Sequence, residues 1–231
     1  YVSSTAATSQ TACAAGTYQE STGQTSCDDA DAGYYVASAG SASQTACTAG
    51  TYQPSTGQTS CDDADAGYYV ASAGSASQTA CTAGTYQPST AQTSCIDASA
   101  GYYVSTTAAT SQTACPAGTY NPNTGSSDSS ACIEAAEGYY VPNAGSASQT
   151  ACSFGTYQSD EGQTSCDDAD AGYYVDTTAA TDQTACDPGT YQPSTGQTAW
   201  IDASAGYYVD TTAATSQTAC VPGTYQPDVG Q

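Results

Sequence analysis

The sequence predicts an all-β, small disulfide-rich fold, a linear array of about seven 34-residue β-hairpin repeats forming an extended rod. Three observations point there. Twelve cysteines fall into two interleaved series. Large aliphatic side chains are nearly missing, and no stretch carries the 3.6-residue periodicity of an amphipathic helix.

The first series is Cys13, Cys47, Cys81, Cys115, Cys152, Cys186 and Cys220, each preceded by Gln-Thr-Ala and followed by x-x-Gly-Thr-Tyr. The second is Cys27, Cys61, Cys95, Cys132 and Cys166, and its sixth slot holds Trp200, the single tryptophan. Matching the chain against itself lays Cys13 on Cys47 and Cys47 on Cys81, a fixed period that is the signature of a repeat architecture. The tyrosines obey the same register: seven in Gly-Thr-Tyr, twelve in six Gly-Tyr-Tyr pairs, and Tyr1. The organisation that follows is a partial repeat at 1–12 and repeats at 13–46, 47–80, 81–114, 115–151, 152–185 and 186–219, then a partial repeat at 220–231.

The repeat at 115–151 carries three extra residues, in Asn-Pro-Asn-Thr-Gly-Ser-Ser-Asp-Ser-Ser-Ala-Cys, where other units read Gln-Pro-Ser-Thr-Gly-Gln-Thr-Ser-Cys. Proline followed by Ser-Thr-Gly marks a turn, and a surface turn absorbs an insertion that a strand would not. The flanking Gly-Thr-Tyr-Gln and Gln-Thr-Ser-Cys favour extended backbone, so each unit reads as a hairpin with a cysteine at either end. Gly-Tyr-Tyr-Val supplies a second short extended piece, its two rings on opposite faces.

A conventional core is not available. Leucine is absent, phenylalanine occurs once at Phe154, and the 39% hydrophobic content is mostly alanine and tyrosine. With a net charge of −22, such a chain would stay disordered unless something else limited its entropy. Cysteine and tyrosine are the candidates. Tyrosines are expected to stack between units, with rings about 4.5–7 Å apart, in place of a leucine core.

The chain has no lysine, arginine or histidine. Nucleic acid is therefore disfavoured as a partner, since phosphate binding draws on cationic side chains, and so is an anionic membrane surface. No apolar run approaches the ~20 residues that span a bilayer, so direct membrane insertion is not expected, and no signal peptide is visible. The lack of methionine and a start in mid-pattern suggest a window on a longer chain.

The steps between consecutive cysteines alternate, short from Cys13 to Cys27 and long from Cys27 to Cys47, which allows two regular pairings that spacing alone does not separate. The motif Cys-x-x-Gly-Thr-Tyr, a Pro/Ser/Thr/Gly turn, and a second cysteine at the Cys13-to-Cys27 step resembles the ephrin-receptor-like cysteine-rich repeat. It is also similar to the opening hairpin of the tumour-necrosis-factor-receptor cysteine-rich domain. The resemblance implies disulfides closing the short loop: Cys13 with Cys27, Cys47 with Cys61, Cys81 with Cys95, Cys115 with Cys132, and Cys152 with Cys166. It also implies a tyrosine packed beside each bond. A staple on a loop of about 15 residues contributes roughly 3 kcal/mol in the chain-entropy model. One departure stands out. Those families continue Cys-x-x-Cys, whereas this chain continues Cys-Asp-Asp-Ala or Cys-Ile-Asp-Ala, without half of the usual cystines.

Under that pairing Trp200 removes the partner of Cys186, and Cys220 would pair beyond Gln231. The expectation for Trp200 is a tolerated loss in one redundant unit, because the stability of a repeat array is approximately a sum of local terms. The alternative is a thiol at Cys186 offered to another chain.

Catalysis is not expected, since the only neutral-pH bases are carboxylates and no nucleophile has a visible partner. The acidic knot Cys-Asp-Asp-Ala-Asp-Ala-Gly occurs three times, with Asp28, Asp29 and Asp31, then Asp62, Asp63 and Asp65, then Asp167, Asp168 and Asp170. Oxygen donors so close together suit calcium, although their spacing is not that of an EF-hand loop. Solvated turn residues are the first expectation and weak calcium binding between neighbouring chains the second. No other cofactor is implied. No Asn-x-Ser/Thr sequon exists, while exposed serines and threonines are candidates for O-glycans.

Taken together, the sequence points to an extracellular structural protein, at the cell surface or secreted, whose repeats assemble with copies of themselves into a filament, appendage or coat. The competing expectation is the ligand-binding or adhesive ectodomain stalk of a surface receptor.

Overall fold

The computed structural model describes residues 1–2 and 9–231; residues 3–8, part of the first partial repeat, lie outside the described residues. The described residues form twelve two-stranded sheets of two-residue strands and no α-helix. A short 3-10 turn, Ser129–Ala131, sits in the three-residue insertion.

Each 34-residue repeat contains two hairpins, where the sequence had suggested one. In the repeat from Cys47, Thr51–Tyr52 pairs antiparallel with Asp62–Asp63, and Tyr68–Tyr69 pairs with Thr79–Ala80. The second strand of the first hairpin thus follows Cys61. The expected strand Gln-Thr-Ser-Cys is irregular, bending backbone, its place taken by the two residues after it. Gly-Tyr-Tyr is no isolated extended piece, because it has a partner of its own.

The two hairpins occupy equivalent positions in successive 17-residue modules. Gly16, Gly33, Gly50, Gly67 and Gly84 follow one another at intervals of 17, all with positive φ. The backbone repeats the same bonds from each: Gly33 N–H donates to Gln53 C=O, and Gly50 N–H reaches equally far ahead to Val70 C=O. A second pair of bonds also matches in reach, Val36 N–H to Gln58 C=O and Gln53 N–H to Ser75 C=O. Side chains differ between odd and even modules while the backbone does not.

The chain divides into two compact units, one of Tyr1–Ser99, Tyr103–Thr113 and Thr124–Ser129, the other of Ala100–Tyr102, Ala114–Asn123 and Ser130–Gln231. In the first unit the interior is two narrow columns. One alternates alanine and cysteine: Ala30, Cys47, Ala64, Cys81 and Ala98 are all buried. The other alternates valine and glutamine: Val36, Gln53, Val70 and Gln87. The second unit repeats the arrangement, with Ala135, Cys152, Ala169 and Cys186 in one column and Val141, Gln158, Val175 and Gln192 in the other. Asn121 takes a glutamine's place beside the insertion, donating from Nδ2 to the Tyr102 carbonyl at 3.0 Å.

A buried glutamine is costly unless its amide is satisfied. Gln53 is satisfied within its own turn: Nε2 donates to Ser60 C=O at 3.0 Å, while Oε1 accepts from Ser55 N–H at 3.1 Å. Among the described residues no buried side-chain nitrogen or oxygen lacks a hydrogen-bond partner.

The tyrosines do not form the stacked core expected of them. Most are half-buried, and among the described residues the one aromatic ring contact is between Tyr174 and Trp200. The physical reason is the narrowness of the columns, where Cys, Ala and Val fit between modules closely enough for backbone bonds and a phenol ring does not. The rings lie along the flank instead, as where Tyr34 covers the turn glycine Gly74.

Candidate functional site

Beside the backbone bonds, side chains join one module to the next through the twelfth residue of each, counting from its first glycine. In alternate modules that residue is a cysteine, and five disulfides link Cys13–Cys27, Cys47–Cys61, Cys81–Cys95, Cys115–Cys132 and Cys152–Cys166. The first-series cysteine lies at the end of one module and its partner in the following one, so each bond spans a module boundary. The Cα atoms are 5.8 Å apart in Cys47–Cys61 and 5.6 Å in Cys115–Cys132, so the insertion leaves the clasp geometry intact.

At the intervening boundaries the twelfth residue is glutamine. Gln78 Oε1 accepts from Asp65 N–H at 2.7 Å while its Nε2 donates to Asp65 Oδ2 at 2.6 Å. Gln44 with Asp31 and Gln183 with Asp170 repeat the two-pronged clasp. Gln112 makes only the backbone bond, to Ser99 N–H, and Gln149 does the same with Ala136. Covalent and hydrogen-bonded clasps therefore alternate along the chain.

These clasps decide where the acidic knots go. Asp31, Asp65 and Asp170 are held by glutamine amides. Asp28, Asp62 and Asp167 begin exposed strands, with Asp29, Asp63 and Asp168 beside them. Asp29 and Asp168 lie against the turn glycines Gly57 and Gly196 of the following repeat. Neighbouring strand residues point to opposite faces, so each knot is spread over several partners. Among the described residues no group of three or more His, Cys, Asp or Glu side chains is placed to hold a metal ion.

One clasp is missing. Cys186 is fully buried and free, and Cys220 is free and half-buried. Trp200, in the slot that would bond Cys186, is 49% exposed and turns outward to meet Tyr174. The ring centroids are 5.1 Å apart and the planes 65° apart, an edge-to-face contact. Burial, with a contribution from Asp187, holds the Cys186 thiol above its ordinary value, against a lowering hydrogen bond from Thr190. Burial and then the carboxylates of Asp176 and Asp187 raise the phenol of Tyr174.

Asp187 belongs to no recurring motif of the repeat, whereas Asp176 recurs as Asp210 one repeat on. The residue after each first-series cysteine is Ala14, Thr48, Thr82, Pro116, Ser153, Asp187 and Val221, so Asp187 is the one acid at that position. The signal was in the register and needed the fold to show that the Asp187 charge acts on Tyr174, the ring that Trp200 meets.

The geometry defines a disulfide-clasped β-hairpin repeat protein. Compared with protein-family models and with curated proteins, the chain matches none. Among the described residues no helix is long and apolar enough to cross a membrane.

Proposed function

We propose that this chain is an extracellular structural protein whose repeats self-assemble into a filament, appendage or coat at a cell surface. The observation that carries the reading is the near-identity of successive 34-residue repeats, down to the backbone bonds and the alternating clasps. Such a chain presents the same surface again and again, which favours multivalent self-association over a single site. Disulfides form and persist in oxidising compartments, consistent with a location outside the cytosol. The reading assigns the chain no catalysis, for want of histidine, lysine or any nucleophile with a base beside it.

Electron microscopy of the purified, oxidised protein across a concentration series tests this. Uniform fibres or sheets that dissolve on thiol reduction are the expected result. Particles that stay dispersed at every concentration, in both redox states, would overturn it.

A further inference from the structure

The repeats serve as one another's controls, and they single out one position. Beside the Cys47–Cys61 clasp a shallow recess is lined by Tyr35, Thr48, Thr51, Ser60 and Cys61. The equivalent positions four repeats on are Tyr174, Asp187, Thr190, Ala199 and Trp200. Two of the changes bring in new chemistry, an aspartate for an uncharged threonine and an indole for a disulfide sulfur. Asp176, directly after Val175, adds a second exposed carboxylate beside Tyr174 where the earlier repeats have Ala37, Ala71, Ser105 and Pro142. Two departures, Asp187 and Trp200, thus fall at the positions around Tyr174, where Asp176, an acid repeated as Asp210, also stands.

We propose that Trp200, Tyr174, Asp176 and Asp187 form a cation-recognition corner that receives an arginine side chain of a different protein. Aromatic faces attract a guanidinium through their quadrupole, most strongly the indole face, and carboxylates at the rim supply the opposite charge. The two rings stand at a steep angle, so they offer a corner and not a flat shelf. Trp200 is half exposed and is free of the role its slot has elsewhere, because no disulfide occupies the position. Residues 1–231 contain no lysine, arginine or histidine that could occupy the site. On this proposal the corner is a point of attachment to an arginine-bearing partner.

The single tryptophan reports on its own site. Titrating the intact oxidised protein with N-acetylarginine methylamide at constant ionic strength is expected to change Trp200 emission saturably. The neutral citrulline analogue should leave it unchanged. Asp187→Asn, an exposed substitution that leaves the clasps untouched, should weaken the arginine response about two- to fivefold, and Tyr174→Leu by a similar factor. Asp63→Asn, distant in the chain and without an aromatic pair, should have no effect. A lysine analogue that quenches equally would replace arginine selectivity with general cation binding and overturn the partner assignment. Response to citrulline equal to that to arginine, or a linear, unsaturable response that Asp187→Asn leaves intact, would overturn the site itself. Circular dichroism of each variant separates loss of binding from loss of fold.

Discussion

Gly67 lies so close beneath the carbonyl oxygen of Ala108, two modules further along, that a β-carbon at residue 67 would collide with it. The contact is with backbone that other modules hold in place, and the residue has φ +86°, where a side chain is strained in any case. Gly67→Ala is therefore expected to cost roughly 2–5 kcal/mol, combining left-handed strain with overpacking. Gly23 has φ +77° but nothing within 4 Å of a built β-carbon, so Gly23→Ala should show the strain alone, roughly 1–2 kcal/mol. Urea unfolding midpoints of the two variants measure the difference.

The turn glycine of the module has given way to alanine at Ala91, Ala108, Ala179 and Ala213, yet φ remains near +55°. Ala91 is exposed, so removing its methyl group forfeits little packing. Relief of left-handed strain outweighs the extra chain entropy of glycine, and Ala91→Gly should stabilise by about 0.5–1 kcal/mol. A lower unfolding midpoint than the parent's would contradict this.

Restoring the sixth clasp is a direct experiment. Trp200→Cys places a thiol at the same sequence separation from the buried Cys186, 14, as in four of the existing disulfides. The introduced cysteine should bond to Cys186, lower the count of titratable thiols in denaturant from two to one, and add about 3 kcal/mol of stability. Mass mapping of the nonreduced digest identifies the bond.

Alkaline pH should loosen the fold through Cys186. Its folded-state thiol is raised by burial and by Asp187, so the unfolded chain loses the proton first. The resulting stability is fully present below the ordinary thiol range, about 8.5, and is lost as pH rises through the folded value. Tyr18, Tyr52, Tyr157 and Tyr174, raised by burial and then by neighbouring aspartates, act in the same sense at higher pH. Unfolding midpoints from neutral pH upward should fall, and Cys186→Ala should fall less over the thiol range.

The hydrogen-bonded clasps predict a charge effect. Gln78→Glu replaces the amide that donates to Asp65 with a second carboxylate facing it. Loss of the bond and like-charge repulsion should destabilise by about 1–2 kcal/mol at neutral pH, partly recovered by salt. Gln112→Glu, whose partner Ser99 has no charge, should lose less.

Much of this architecture was legible in the residues. The 34-residue period, the two cysteine slots and the turn that takes the insertion are all matters of register, and register needs no coordinates. The inner 17-residue period was hidden because equivalent positions carry unlike side chains: Cys61 and Gln78 at the clasp, Ala64 and Cys81 in one column, Gln53 and Val70 in the other. Tyrosine misled for a related reason. Its abundance suggested a core, whereas the spacing between modules admits only smaller groups.

By itself the sequence determined that the chain repeats, that it is acidic throughout, and where sulfur can staple it, because periodicity, charge and cysteine spacing are properties of order along the chain. The tertiary structure alone decided which boundaries are closed by sulfur and which by an amide. It also brought Trp200 onto Tyr174, since residues well separated along the chain become neighbours only when hydrogen bonds set one module against the next.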